Sequence, residues 1–244
     1  MELRPVERTS ASGAVFDQLF EELVAGRLAP GDALPAERSL TNTLQVNRQA
    51  VREALQRLAQ AGLVDIHQGD STRVRDYRTS GSLELLPHLL VSGDGSPDPA
   101  VARSIMEMRA SVGPDVARLA AGRALPATIE LVEEIVADMQ SSSDDLERLA
   151  TLDLSYWDTL VDAADNIAYR LAFNSLRQTY EPLAASLRTV LSEELGDVKG
   201  HAAISRAIAA GDEKSAQRAA ARLLAKGTAR VTELLRAIGS KEGA

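Results

Sequence analysis

The sequence predicts a mainly α chain: an N-terminal winged helix-turn-helix, then an antiparallel bundle of six or seven helices. Three observations lead there. Residues 34–74 read as two short helices, a turn and two short β-rich runs. Beyond Ala100 apolar residues recur at helical spacing and almost no β-rich run occurs. Between these regions lies SGDGSPDP (92–99), a polar loop.

The first helix is expected over Ser12 to Arg27, with Val15, Leu19 and Leu23 on one face, ended by Leu28-Ala29-Pro30-Gly31. A second covers Ala36 to Thr43, followed by the turn Leu44-Gln45-Val46. Asn47 suits the N-cap of a third helix reaching Ala61. There Val51, Leu55 and Leu58 form a buried stripe, and Gly62 stops the helix. Leu63–Ile66 and Thr72–Val74 read as strands joined by a wing, His67 to Ser71. Arg48, Gln49 and Arg52 fall off the apolar stripe in the first turn and a half, where a recognition helix meets base edges. Arginine pairs bidentately with guanine and glutamine with adenine. The expected partner is double-stranded DNA. Arg48 and Arg52 read bases, supported by Asn47 and Gln49; Arg38 anchors on phosphate; Gln68 and Gly69 bring the wing to the minor groove. One such helix reads few base pairs, so a homodimer on a palindromic operator is expected.

Arg75 to Gly81 is a connector, and Leu83 to Val91 a short linking helix. The first bundle helix runs from Ala100 to Arg123, with Ile105, Met108, Val112, Val116 and Leu119 as its stripe. The next runs from Pro126 to Gln140. Ser143 or Asp144 caps a third reaching Ala164. A fourth starts after Asp165-Asn166 and kinks or breaks at Pro182. The last two cover Val198 to Ala210 and Glu213 to Ile238. The domains are therefore 10–76 for DNA, 77–99 for the connector and 100–240 for the bundle.

The net charge of −8 is unevenly spread. Residues 1–78 hold 10 Arg and 11 acidic residues; residues 79–244 hold 17 basic and 24 acidic ones. Over 36–78 the balance is 7 Arg to 5 acids, so phosphate binding rests on a few placed arginines. The acidic bundle is repelled by DNA and does something else. No cysteine means no disulfide and no thiolate nucleophile. No apolar run approaches the ~20 residues of a membrane span, and the N-terminus has no secretory h-region. A cytoplasmic protein with no membrane partner is expected.

PAERSL, VREALQRLAQAGLV and the glycine-tipped wing resemble the DNA-binding domain of GntR-family bacterial repressors. RSIMEMRASVGPDVARLAA (103–121), LATLDLSYWDTLVDAADN (149–166) and HAAISRAIAAGD (201–212) resemble the effector domain of its FadR subfamily. The resemblance implies a transcriptional regulator whose bundle binds an effector. Many such bundles hold a divalent metal with one Asp and three His. Asp153 matches the Asp and His201 one His, but Trp157 and Leu223 stand where the other two belong. With three histidines in all, and His67 in the wing, that site cannot be assembled. No metal and no cofactor is expected; Asp153 and His201 are either a weak metal site or hydrogen-bonded relics.

STRVRDYRTSGSLELL (71–86) and residues 152–183 resemble the acyl-CoA-responsive members, which implies a long-chain acyl-CoA effector and control of fatty-acid metabolism genes. Tyr156 and Trp157 line a pocket or pack as core. Gly227 leaves a gap a ligand enters, with Leu223 and Val231 one turn to either side, or permits close packing. Arg109 matches an arginine common in the family; it pairs with a ligand carboxylate or phosphate, or bridges Asp153. The expected effector residues are thus Arg109, Asp153, Tyr156, Trp157, His201, Leu223, Gly227 and Val231. The second reading is a small organic acid on Arg109, with or without a metal. An enzyme is not expected: nucleophile–base pairs are hard to assemble here, and the paired acids Glu133-Glu134, Asp144-Asp145 and Glu193-Glu194 read as helix starts or solvated faces.

Overall fold

The computed structural model describes residues 10–67, 71–91, 96–180 and 183–242. The chain divides between Ser96 and Pro97 into two compact units.

The first unit begins with α1 (Ala11–Val24), whose start is set by Ser10, its Oγ accepting from Gly13 N at 3.0 Å. The helix stops short of the expected Arg27 because Gly26 turns left-handed. Helices α2 (Glu37–Leu44) and α3 (Arg48–Gln60) follow, joined through Gln45 at φ 53°. Phe16, Leu19 and Phe20 of α1 pack in one buried cluster with Val51, Leu55 and Leu58 of α3. The wing strands are shorter than expected, β1 (Val64–Asp65) and β2 (Arg73–Val74), antiparallel with Val64 opposite Val74. An isolated bridge from Ala33 to Arg73 flanks them.

The connector is not a free tether. It forms α4 (Tyr77–Ser80), capped by Asp76, then a 3-10 turn at Leu83–Leu85 and α5 (Leu86–Leu90) where one helix was expected. Ser80 Oγ donates to the Gly62 carbonyl at 2.6 Å, and Leu85 joins the first unit's core. His88 of α5 packs on α1, its ring centroid 4.8 Å from that of Phe16 and 5.3 Å from that of Phe20. Burial pushes its imidazole pKa down, which favours the neutral ring.

Among the described residues the second unit has six long helices and two short ones. The long ones are α6 (Pro99–Arg123), α7 (Pro126–Ser141), α8 (Leu146–Ala163), α9 (Ile167–Tyr180), α12 (Val198–Ala209) and α13 (Glu213–Glu242). The short ones, α10 (Ala184–Val190) and α11 (Ser192–Leu195), fill a stretch where no helix was expected. Capping explains the boundaries. Asp98 accepts from the amides of Ala100 and Val101, and Asn166 from those of Ala168 and Tyr169. The cap of α8 is Asp145, accepting from Arg148 N, rather than Ser143 or Asp144. The break expected at Pro182 lies outside the described residues. Helix α6 packs most extensively on α13. Gly113 makes room for this: a Cβ there would lie 2.3 Å from Leu224 Cδ1. A second core, centred on Ala117, Leu160, Ile204 and Leu223, holds the bundle together.

Candidate nucleic-acid interface and effector cavity

The stripe of Val51, Leu55 and Leu58 points α3 into the core and so turns its opposite face outward. Arg38, Arg48, Gln49 and Arg52 are all exposed. Two already have partners: Gln49 Nε2 donates to Glu53 Oε1 at 3.2 Å, and Arg52 Nε to Glu37 Oε2 at 2.9 Å. Both pairs are exposed and hold their side chains weakly. Asn47 caps α3 as expected. Its Oδ1 accepts from Ala50 N at 2.8 Å. Arg57, on the same helix, stacks over the Phe16 ring at 4.4 Å and belongs to the fold. Gln68 and Gly69 lie outside the described residues.

Replacing Arg48 or Arg52 by Ala should weaken specific operator binding by about 1–3 kcal/mol and relax preference at particular base pairs. Gel-shift titrations against single-base operator variants check this. Uniform weakening over all sequences would make these arginines phosphate anchors instead.

In the second unit α6, α8, α9, α10 and α13 enclose a predominantly apolar cavity of about 600 Å³. That lies within the range of small-molecule sites. Arg109, Asp153 and Trp157 line it; Tyr156, His201, Leu223, Gly227 and Val231 do not. Helix geometry explains the division. Asp153 and Trp157 are four residues apart and share the cavity face of α8, while Tyr156 is turned 100° away. Tyr156 is fully buried, its Oη 3.1 Å from both the His201 carbonyl oxygen and Ser205 Oγ. It ties α8 to α12. On α13 the same rotation brings Leu224, not Leu223, to the cavity, and leaves Leu223 and Val231 buried elsewhere.

The Gly227 gap is filled by the protein itself. Its amide donates to Glu194 Oε2 at 3.2 Å, and a Cβ would lie 2.4 Å from that oxygen. Glu194, expected at a helix start or on a solvated face, lies in the first turn of α11, but its side chain is 0% exposed. It pairs bidentately with Arg109, which is 13% exposed. Arg109 therefore bridges Glu194 rather than Asp153. Burial pushes the Glu194 carboxyl up, and Arg109 pulls it back. The only signal of this in the sequence was a glycine inside a long helix, which says that something approaches but not what.

Asp153 Oδ1 lies 2.8 Å from His201 Nε2, and His201 Nδ1 lies 3.0 Å from the Asp197 carbonyl oxygen. The Asp153 carboxylate and the Asp197 carbonyl both favour a proton on the ring nitrogen they face. Burial opposes a charged ring, but the Asp153 carboxylate outweighs it and raises the pKa. Among the described residues no three His, Cys, Asp or Glu side chains are placed to hold one. With Trp157 and Leu223 in the other two places, the Asp-and-His metal set does not fit this chain. Trp157 Nε1 and Tyr180 Oη, on two residues of the cavity wall, have no hydrogen-bond partner among the described residues.

Residues 11–74 match the bacterial regulatory proteins of the gntR family, and residues 104–226 match the FCD domain. The chain belongs to the GntR family. It is a DNA-binding transcriptional regulator and not an enzyme. It is 42% identical over 225 residues to the HTH-type transcriptional regulator Mce2R of Mycobacterium tuberculosis, covering 92% of each chain. It is 31% identical over 175 residues to the fatty acid metabolism regulator protein of Edwardsiella ictaluri, covering 72% of this chain and 71% of that one. The solved structure of Lar from Listeria monocytogenes matches 94% of this GntR-family chain and 100% of its own, at TM-score 0.57 and 18% identity, a likeness of fold alone. No helix among the described residues is long and apolar enough to cross a membrane.

Proposed function

We propose that a long-chain acyl-CoA bound in the helical unit releases this regulator from its operator, and that the genes it controls serve fatty-acid metabolism. The observation that carries this is the apolar cavity with its one deeply buried cation, Arg109, already neutralised by Glu194. A small organic acid needs a free buried cation or a metal; a hydrocarbon chain needs neither. Relatives named fatty acid metabolism regulators support the same reading. The protein works as a homodimer on a palindromic operator, Arg48, Gln49 and Arg52 of each copy entering the major groove with Arg38 on phosphate.

Release requires that the ligand bind the DNA-incompetent arrangement more tightly than the competent one; equal affinity shifts nothing. The test is a gel shift of the full chain on its operator, titrated with acyl-CoAs, free fatty acids, CoA alone and hydroxy- or dicarboxylic acids with and without divalent metal. Micromolar acyl-CoA should dissociate a complex of two chains per palindrome, and CoA alone should not. Release by an organic acid with metal, and none by acyl-CoA, would transfer the assignment to the small-acid reading.

A further inference from the structure

We infer that Arg177 and Arg188 hold the phosphate-bearing head of the ligand at the cavity mouth, while its uncharged chain lies inside. This rests on the acyl-ligand reading above and adds the ligand's orientation.

Two of the cations that line the cavity, Arg177 and Arg188, also reach solvent. Arg177 of α9 lines it and is also exposed, so it stands where the cavity meets solvent. It has no ion-pair partner among the described residues. Arg188 of α10 also lines the cavity, with its side chain 33% exposed. Its partner is Glu147, 3.3 Å away with a side chain 78% exposed. A pair so open to water is weak, and a phosphate displaces it at little cost. The guanidinium fork matches phosphate oxygens geometrically, which a lysine does not.

The interior has the opposite character. Arg109 is closed by Glu194, and His201 by Asp153. An anion carried inward would give up water and find only charges that are already paired, so it is held at the rim. Apolar walls such as Val112, Phe173 and Leu224 receive the chain. The ligand class is therefore a long acyl chain joined to a phosphorylated head, not a free carboxylate buried head-first.

Trp157 is the single tryptophan of the chain and lines the cavity, so its fluorescence reports occupancy directly. The experiment titrates palmitoyl-CoA and hexadecanol into the full-length protein and into the double variant Arg177→Gln/Arg188→Gln. Arg177→Lys serves as the charge-keeping control. The Kd for palmitoyl-CoA should rise at least about tenfold in the double variant and by less in Arg177→Lys. The Kd for hexadecanol should be unchanged. The palmitoyl-CoA affinity of the unsubstituted protein should fall with salt, and that dependence should flatten in the double variant. Equal palmitoyl-CoA affinity in both proteins overturns the orientation while leaving the acyl reading intact. Equal loss of both ligands overturns it too, since the effect is then not on the head. If the unsubstituted protein binds neither ligand, the acyl reading falls and the orientation with it.

Discussion

Glu194→Ala should lower the unfolding free energy by about 3–5 kcal/mol, because it leaves the Arg109 guanidinium buried without a counter-charge. The Gly227 amide loses its acceptor in the same step. The pair is not itself a large source of stability, since both partners gave up water to form it. Replacing both, as Arg109→Met/Glu194→Met, should therefore cost far less than Glu194→Ala alone. Denaturant unfolding of the single and double variants measures the difference. Gly227→Leu should behave like Glu194→Ala, because its Cβ would take the place of the carboxylate and also lie 2.7 Å from Leu191 Cδ2. A loss below about 1 kcal/mol in Glu194→Ala would mean that Asp153 or water replaces the carboxylate at little cost. Arg109 would then not depend on Glu194 for its counter-charge.

The second large effect belongs to Gly62, where the recognition helix ends and the connector docks. Gly62 has φ 78°, and a Cβ would lie 2.3 Å from the Ser80 carbonyl oxygen and 2.8 Å from its carbon. A left-handed alanine costs on the order of 1–2 kcal/mol by itself. Gly26 separates the two effects, for it has φ 70° with nothing within 4 Å. Gly26→Ala should cost only the backbone preference. Gly62→Ala should cost about 3 kcal/mol or more, the excess coming from backbone that cannot move aside as a side chain would. Thermal unfolding of the two variants decides it. Equal losses would mean that α4 is not seated on Gly62. The contact joins the end of α3 to the connector, since Gly62 follows α3 and Ser80 belongs to α4.

Much of this was legible in the chain itself. The apolar stripe of α3, the Asn47 cap and the glycine after the helix determine a recognition helix with Arg48, Gln49 and Arg52 outward. They do so because helical periodicity and capping act within a few residues. The shortage of histidines likewise ruled out an Asp-and-three-His metal site by counting. What the sequence could not decide was which groups meet across the bundle. Arg109 and Glu194 are 85 residues apart, and Tyr156 differs from Trp157 by one position yet faces another helix. Such choices depend on the rotation of each helix about its axis, which is set by all of its neighbours together. Only the packed bundle closes Arg109 with Glu194, fills the Gly227 gap with a carboxylate and leaves Arg177 and Arg188 at the cavity's edge.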